Sequence, residues 1–344
     1  MRLKLAIFCF VILCHGFYST SAQLRIVCIG NSITQGKIGL KSDSSYEYSY
    51  RPWLWEKLIQ TGFNVDMVGF HRYFFDERSG NLIMHFETNG VTFDRDSEAY
   101  YGITSSGFLN GSSSQGWTEA PLPDFRKRIN DPDKGYTPDV ALIHLGTNDA
   151  DSTTELVDVT RNNIIEIIRV LRERNPSVVV IVAKLITGWK KINTKIDGLC
   201  IETSTTKSPV IVVDMATGFV NDPKLVGTMT YDYVHPNKVG QLFMMQRWYS
   251  TILANLQDAQ PPSLKGKPVL AKRSGSEVTI SWPAASDNFG IKSYEISIDG
   301  KLVNQTSQDT TYTFSDFEKR HAYKVSVKAK DWSGNSSNSI VARI

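Results

Sequence analysis

The chain has 344 residues and a formal net charge of +3. That length exceeds an average single domain, so two domains are expected. A charge this small, without a long basic run, lacks the electrostatic footprint of a nucleic-acid binder, and no nucleic-acid partner is expected. The first residues read as a signal peptide spanning 1–22. Arg2 and Lys4 open it, AIFCFVILC is apolar but too short to span a bilayer, and STSA offers small residues for cleavage after Ala22. Removing Arg2 and Lys4 leaves 3 − 2 = +1. The expectation is a secreted or luminal protein without a transmembrane segment. Of four cysteines only Cys28 and Cys200 then remain, too few for a disulfide framework. Cys28 lies inside a strand-like run and reads as a buried free thiol.

From residue 23 to about 258, strand and helix signals alternate. LRIVCI (24–29), VDMVG (65–69), DVALIHL (139–145), VVVIVAK (178–184) and VIVVD (210–214) are nearly continuous apolar runs. Such runs suit strands covered on both faces of a parallel sheet. Helical spacing appears in RPWLWEKLIQ, which precedes a Thr61-Gly62 stop, and across 155–174 and 237–257. The pattern predicts an α/β domain with a doubly wound, five-stranded parallel sheet. Residues 70–120 depart from it. They are long, polar and aromatic, and a connection of that length is usually functional.

At Gln260-Pro261-Pro262 the character changes, and 259–262 reads as a linker. Beyond it the period is two: Val278, Ile280 and Trp282 alternate, then Tyr294, Ile296 and Ile298, then Tyr323, Val325, Val327 and Ala329. Asp299-Gly300 is a hairpin turn signal. Several short strands in 263–344 predict a small all-β sandwich. VTISWPAASDNFGIKSYEISIDGK with YKVSVKAKDWSGNSS resembles a fibronectin type III domain. A sandwich of this kind implies attachment to a glycan, a matrix or a protein partner. Asn110, Asn304 and Asn335 head glycosylation tripeptides if the chain is secreted.

Residues 26–37, IVCIGNSITQGK, pose a choice between a phosphate loop and a nucleophile loop. A phosphate loop needs four residues between its glycines and Ser or Thr after the lysine. Here five residues separate Gly30 from Gly36, and Ile38 follows Lys37. The phosphate reading fails on both counts. A serine nucleophile instead requires a base and a group that orients the base. Of six histidines, His15 leaves with the signal, His321 sits in the sandwich, and His71 and His85 lie in the 70–120 stretch. His144 falls inside an apolar strand and reads as a core residue. His235 remains, in YDYVHPNKVG, with Asp232 three residues before it. A turn can bring those two side chains toward one point. A solvated turn capping the last helix accounts equally well for Asp232 and His235, and Ser32 taken alone suits a helix cap.

LIHLGTNDA follows a strand directly and puts Asn148 at a strand's C-terminal end, where sites of open parallel sheets lie. Its amide suits a developing oxyanion. Asn148 or Asp149 capping the next helix is the alternative, with Asp149 capping while Asn148 faces the site. No metal is expected, since no His/Asp/Glu helix pair or paired-cysteine site appears, and no cofactor is implied.

GNSIT, GTND and DYVHPN, in that order, resemble the SGNH hydrolase superfamily, the GDSL-type esterases, with the nearest likeness to carbohydrate acetylesterases. The likeness spans roughly 24–250. It implies a flavodoxin-like SGNH hydrolase fold, with Ser32 as nucleophile and Asp232 and His235 completing a catalytic triad. It further implies an oxyanion hole made of the Ser32 N–H, a glycine N–H and Asn148. The glycine belongs in DSEAYYGITSSG and is assigned to Gly102, with Gly107 in reserve; there Ile103 and Thr104 replace the family's usual histidine and serine. Asn31 replaces the usual aspartate before Ser32, and it is expected both to accept and to donate hydrogen bonds to the loop backbone. The resulting expectation is a secreted serine carboxylic-ester hydrolase that removes acyl groups, acetyl above all, from an acylated carbohydrate. A lipid esterase or lysophospholipase, and a non-catalytic carbohydrate-binding or adhesion protein, are the rival readings. A histidine base must be neutral, so activity should fall below about pH 6.5. Trp53, Trp55, Tyr100, Tyr101, Phe108 and Trp117 are aromatics available to sugar rings, with core packing favoured for Trp53 and Trp55.

Overall fold

The computed structural model describes residues 23–36, 49–71, 87–88, 90–112, 121–256, 260–287, 291–306, 309–315, 318, 321–331 and 333–344. The signal-peptide reading, His85 and Trp117 lie outside the described residues.

The first part of the chain is built on a parallel sheet. Its long strands are β1 (Leu24–Gly30), β2 (Val65–Val68), β6 (Val140–His144), β7 (Val179–Lys184) and β8 (Val210–Asp214), in the order β2-β1-β6-β7-β8. This is the doubly wound order in which the connections reverse direction beside β1, and the crevice between β1 and β6 opens at the strands' C-terminal ends. The five expected strands are present with ends shifted by a residue at most. A sixth is added: β5 (Glu98–Ala99) pairs in parallel with Ile29 and Gly30 of β1, where the β2 pairing has ended. Two further short strands, β3 (Glu87–Thr88) and β4 (Val91–Thr92), pair with each other.

Both faces of the sheet are covered, which is why its strands read as unbroken apolar runs. One face carries Val27, Ile29, Ala141, Ile143, Val180 and Val182 against α3 (Ser105–Asn110), α4 (Phe125–Ile129), α5 (Thr154–Arg174) and α6 (Ile196–Thr203). The other carries Ile26, Cys28, Leu142, Ile181 and Val213 against α2 (Tyr50–Gln60) and α7 (Lys238–Asn255). Cys28 and Cys200 fall in these two separate clusters, on opposite sides of the sheet, and both are free. Burial pushes each thiol up to about 12.

The C-terminal part forms two antiparallel sheets. One has the order β13-β10-β9, from β9 (Val269–Ser274), β10 (Glu277–Ser281) and β13 (Thr311–Phe314). The other has the order β12-β11-β14-β15, from β11 (Ile291–Ile298), β12 (Lys301–Thr306), β14 (Lys324–Asp331) and β15 (Ile340–Arg343). The alternating residues Val278, Ile280, Tyr294, Ile296, Val325, Val327 and Ala329 meet in one core with Trp282. Asp299 and Gly300 both take positive φ, 50° and 83°, as the two-residue turn between β11 and β12 requires. Tyr323 OH accepts from the Glu318 N–H at 3.1 Å, a corner that closes the entry to β14. This is a fibronectin type III-like sandwich. Among the described residues no helix is long and apolar enough to cross a membrane.

Candidate active site

Three loops converge outside the C-terminal ends of β1, β5 and β6. The first begins where β1 and β6 end level, with Gly30 paired to His144. A Cβ on Gly30 would lie 2.8 Å from the His144 carbonyl oxygen and 2.1 Å from Thr34 Oγ1, so only glycine fits there. The chain then turns straight into the four-residue helix α1 (Ser32–Gln35). Asn31, not Ser32, is its cap: Asn31 Oδ1 accepts from the Ile33 N–H at 3.1 Å. The expectation that Asn31 would also donate is corrected, because its Nδ2 is buried without a partner. Ser32 stands in the first turn, 6% exposed.

Arg51 secures the other end of α1. It is fully buried, donating from Nε to the Thr34 carbonyl at 2.9 Å and from Nη2 to the Gln35 carbonyl at 3.1 Å. A third bond, from Nη1 to the Arg95 carbonyl at 2.9 Å, ties in the segment before β5. These carbonyls have no intrahelical partner in so short a helix, and a cation at a helix C-terminus also suits the dipole. The only sequence hint of this role is a basic residue in the first turn of α2, where the dipole disfavours it.

The second loop is the turn of residues 230–237 before α7. Asp232 Oδ1 accepts the backbone N–H groups of Val234, at 3.2 Å, and His235, at 2.7 Å. Its Oδ2 lies 2.7 Å from His235 Nδ1. Burial raises the Asp232 carboxyl, but the His235 backbone and ring hydrogen bonds outweigh it and hold the group below the usual carboxylate range. His235 Nε2 stands 3.0 Å from Ser32 Oγ, across 203 residues of chain. The turn therefore does more than cap α7. That cap is Asn237, whose Oδ1 accepts from the Gly240 N–H at 3.1 Å.

The third loop joins residues 100–105 to 146–149. Asn148 Nδ2 donates to the Ile103 carbonyl at 3.0 Å. The alternative in which Asn148 or Asp149 caps the next helix fails, because Thr153 is that cap. Asp149 instead accepts the Ser105 N–H at 2.9 and 3.1 Å, the Ser105 hydroxyl, and Thr160 Oγ1 at 3.2 Å. Asn163 adds a bond to Ser105 Oγ at 2.9 Å. These contacts lock the two segments together next to Gly102, which takes φ 70° with open space where a Cβ would stand. The N–H groups of Ser32 and Gly102 have no hydrogen-bond partner among the described residues. That of Gly107 does, donating to Thr104 Oγ1 at 3.1 Å.

Among the aromatics, Trp55 packs in the core as expected, while Tyr100 and Phe108 are withdrawn from any sugar ring. Trp55 is core, at 1% exposed, and so are Tyr100 and Phe108, at 1% and 0%. The last two enclose the buried Arg128, which pairs with Glu98 of β5 at 2.9 Å. They cannot meet a ligand. Trp53 is half-buried and donates to Gln241 Oε1 at 3.2 Å. Tyr101 lies nearly parallel to the His235 ring, at 7° and 6.3 Å between centroids. His144 is buried as expected, and burial pushes its imidazole down to about 4. Among the described residues no His, Cys, Asp and Glu cluster could hold a metal.

A hydroxyl beside an imidazole, itself held by a carboxylate, after the first strand of a 2-1-3-4-5 parallel sheet, has the geometry that acyl transfer requires. Residues 98–242 match the model of the GDSL-like Lipase/Acylhydrolase family. The matched residues lie within the α/β part of the chain. Among curated proteins, the chain is similar to a multidomain esterase of Ruminococcus flavefaciens, 27% identical over 162 residues, covering 46% of this chain and 18% of the relative. It is also similar to chitinase C of Streptomyces lividans, 41% identical over 70 residues, covering 20% of this chain and 11% of the relative. The chain thus spans less than a fifth of the length of either. Among solved structures, an acetyl esterase mutant with acetate ion is 25% identical with a TM-score of 0.48, covering 67% of this chain and 97% of that one.

Proposed function

We propose that the chain is a secreted serine esterase that removes acyl groups, acetyl in particular, from carbohydrate. On this reading 1–22 is a signal peptide, 23–258 the catalytic domain, 259–262 a linker and 263–344 a sandwich that holds a glycan, matrix or protein partner. Asn110, Asn304 and Asn335 are its glycosylation candidates, and Asn110 is exposed at the end of α3. The observation that carries the reading is the 3.0 Å approach of Ser32 Oγ to His235 Nε2, with Asp232 2.7 Å behind.

The chemistry follows from those contacts. His235 Nδ1–H donates a hydrogen bond to Asp232, which leaves Nε2 with its lone pair toward Ser32. Ser32 Oγ attacks the ester carbonyl carbon while its proton passes to Nε2. The negative charge gathers on the carbonyl oxygen, where the free N–H groups of Ser32 and Gly102 point to an oxyanion hole. Gly102 is chosen over Gly107 because the Gly107 N–H is already spent on Thr104. Asn148 joins them: its amide carries two hydrogens, and the bond to Ile103 uses one and orients the other. Collapse breaks the carbon–oxygen bond to the sugar, and the Nε2 proton goes to the departing alkoxide. Water then attacks the acyl-serine, losing a proton to Nε2, and the carboxylic acid leaves as Oγ is reprotonated.

The deciding experiment is covalent labelling by a fluorophosphonate. The native protein should label at Ser32 and Ser32→Ala should not, while both remain folded by circular dichroism. Absence of labelling in the folded native protein would refute the esterase reading. Side-by-side hydrolysis of acetylated xylan and long-chain esters separates a carbohydrate substrate from a lipid.

A further inference from the structure

In the proposed reaction His235 protonates the leaving alcohol. The alcohol half of the ester therefore lies on the imidazole side of Ser32, and the carbonyl oxygen lies toward Gly102 and Asn148. Side chains that flank His235 decide which alcohols are accepted. Tyr101 is one of them, and a second tyrosine, Tyr233, belongs to the same turn as His235. Tyr101 runs parallel to the imidazole, half-buried, on the segment leading to Gly102. Tyr233 stands inside the triad turn, between Asp232 and His235, and is 44% exposed.

Tyr233 has a backbone conformation that its side chain does not explain. Its φ is 70°, in the left-handed region, one of two non-glycine residues there among the described residues. The other is Asp299, a short polar residue in a hairpin turn that favours it. For a bulky side chain this conformation is costly, and glycine or asparagine would adopt it more easily. With 44% of Tyr233 exposed, burial of the ring does not offset that cost. The Asn221 amide holds the strained peptide by its carbonyl, at 3.4 Å. A strained residue of this kind beside catalytic groups points to function.

We propose that Tyr101 and Tyr233 form an aromatic platform for the pyranose ring that carries the ester, on the leaving-group side of His235. The inference deepens the esterase reading and rests on it. An aromatic face presents apolar area to the C–H face of a sugar ring. A small or flexible alcohol would gain little from such a surface. Tyr100 and Phe108, buried around Arg128, cannot serve in this way.

The test compares two acetate esters that share the acyl group and differ in the alcohol: glucose pentaacetate and ethyl acetate. kcat and KM are measured for the native protein, Tyr233→Gly, Tyr233→Asn and Tyr101→Leu, with thermal unfolding alongside. The platform predicts that both Tyr233 variants raise KM for the sugar ester about tenfold and lower the sugar-to-ethyl ratio of kcat/KM by about the same factor. Tyr101→Leu should lower that ratio about threefold to tenfold. Tyr233→Gly should unfold at the native temperature or higher, since glycine accepts φ 70° without strain. An unchanged ratio in active variants overturns the platform. So does an equal fall in kcat on both esters, which would make Tyr233 a positioning residue of the turn, and so does a native protein without preference for the sugar ester. A native protein that resists fluorophosphonate and cleaves neither ester fails at the esterase reading itself, and the platform fails with it.

Discussion

Asp149 and Asp232 both serve the surroundings of Ser32, and they are held in opposite ways. Asp149 is 9% exposed, and its carboxylate is tied to Ser105, 44 residues away, and to Thr160 in the next helix. Asp232 has a side chain 54% exposed, and its carboxylate bonds to Val234 and His235, two and three residues on. The buried cluster fixes groups where negative charge would develop, and donors that are already aimed need no reorganisation. In the proposed mechanism the open turn stands where the alcohol leaves and water enters. Its geometry comes from a local loop, so it survives contact with solvent. The comparison teaches that one aspartate should matter chiefly to stability and the other chiefly to rate.

The sharpest way to break this contrast is Asp232→Asn. The turn keeps an acceptor, but the His235 tautomer is no longer fixed, and kcat should fall about 10⁴-fold. Unfolding in urea should shift by no more than about 1 kcal/mol. A large loss of stability with little loss of rate would reverse the assignment. Asn148→Ala should lower kcat about 100- to 1000-fold with KM little changed, read from steady-state kinetics on an acetate ester.

Asp149→Ala tests the other side. It strands the Ser105 and Thr160 donors in a buried site and should cost about 2–4 kcal/mol in urea unfolding. A stability equal to the native protein's would show that Asp149 is no structural pin. A smaller effect comes from pH. The folded protein holds His144 near 4, below the ordinary imidazole value, so the unfolded chain takes up a proton that the folded chain refuses. Its contribution is complete above about pH 6.5 and is lost as pH falls toward 4, by roughly 2–3 kcal/mol. His144→Gln should flatten the dependence of melting temperature on pH in that window, and an unaltered slope would assign the effect elsewhere. Smallest of all, native protein at pH 8 should leave Cys28 and Cys200 unmodified by iodoacetamide, whereas urea-unfolded protein should expose both. Rapid native modification would contradict their burial.

Much of the fold was legible in order. β6, β7 and β8 coincide with their apolar runs within a residue, because strands covered on both faces must be apolar at every position. The alternation of 278–282, 294–298 and 323–329 marked the sandwich because one face of each strand is wet. β5 was invisible: Glu98 and Ala99 carry no strand signal, and Glu98 is buried only because Arg128 pairs with it. Short α3, α4 and α6 have too few turns to show a helical period. At the site, Ser32, Asn148, Asp232 and His235 could be nominated because hydroxyl, amide, carboxylate and imidazole groups stood in turns after strands or before a helix. Arg51 and Tyr233 could not, Asp149 was legible only as a helix cap, and Tyr101 only as one of several aromatics available to a sugar ring. Arg51 sat within an ordinary helical pattern, and Tyr101 looked no different from Tyr100, which the fold buries.

The sequence by itself determined the layers: a period of two, a helical period or an unbroken apolar run states how each segment divides its faces between water and core. Only the tertiary structure decided which polar groups became neighbours. It set Ser32 against His235 across 203 residues, assigned Asp149 to Ser105 rather than to a helix cap, and left Tyr233 strained at the rim. Burial is a property each residue advertises by its chemistry, whereas a hydrogen bond needs two groups at one place, and that place exists only once the sheet order and its loops are formed.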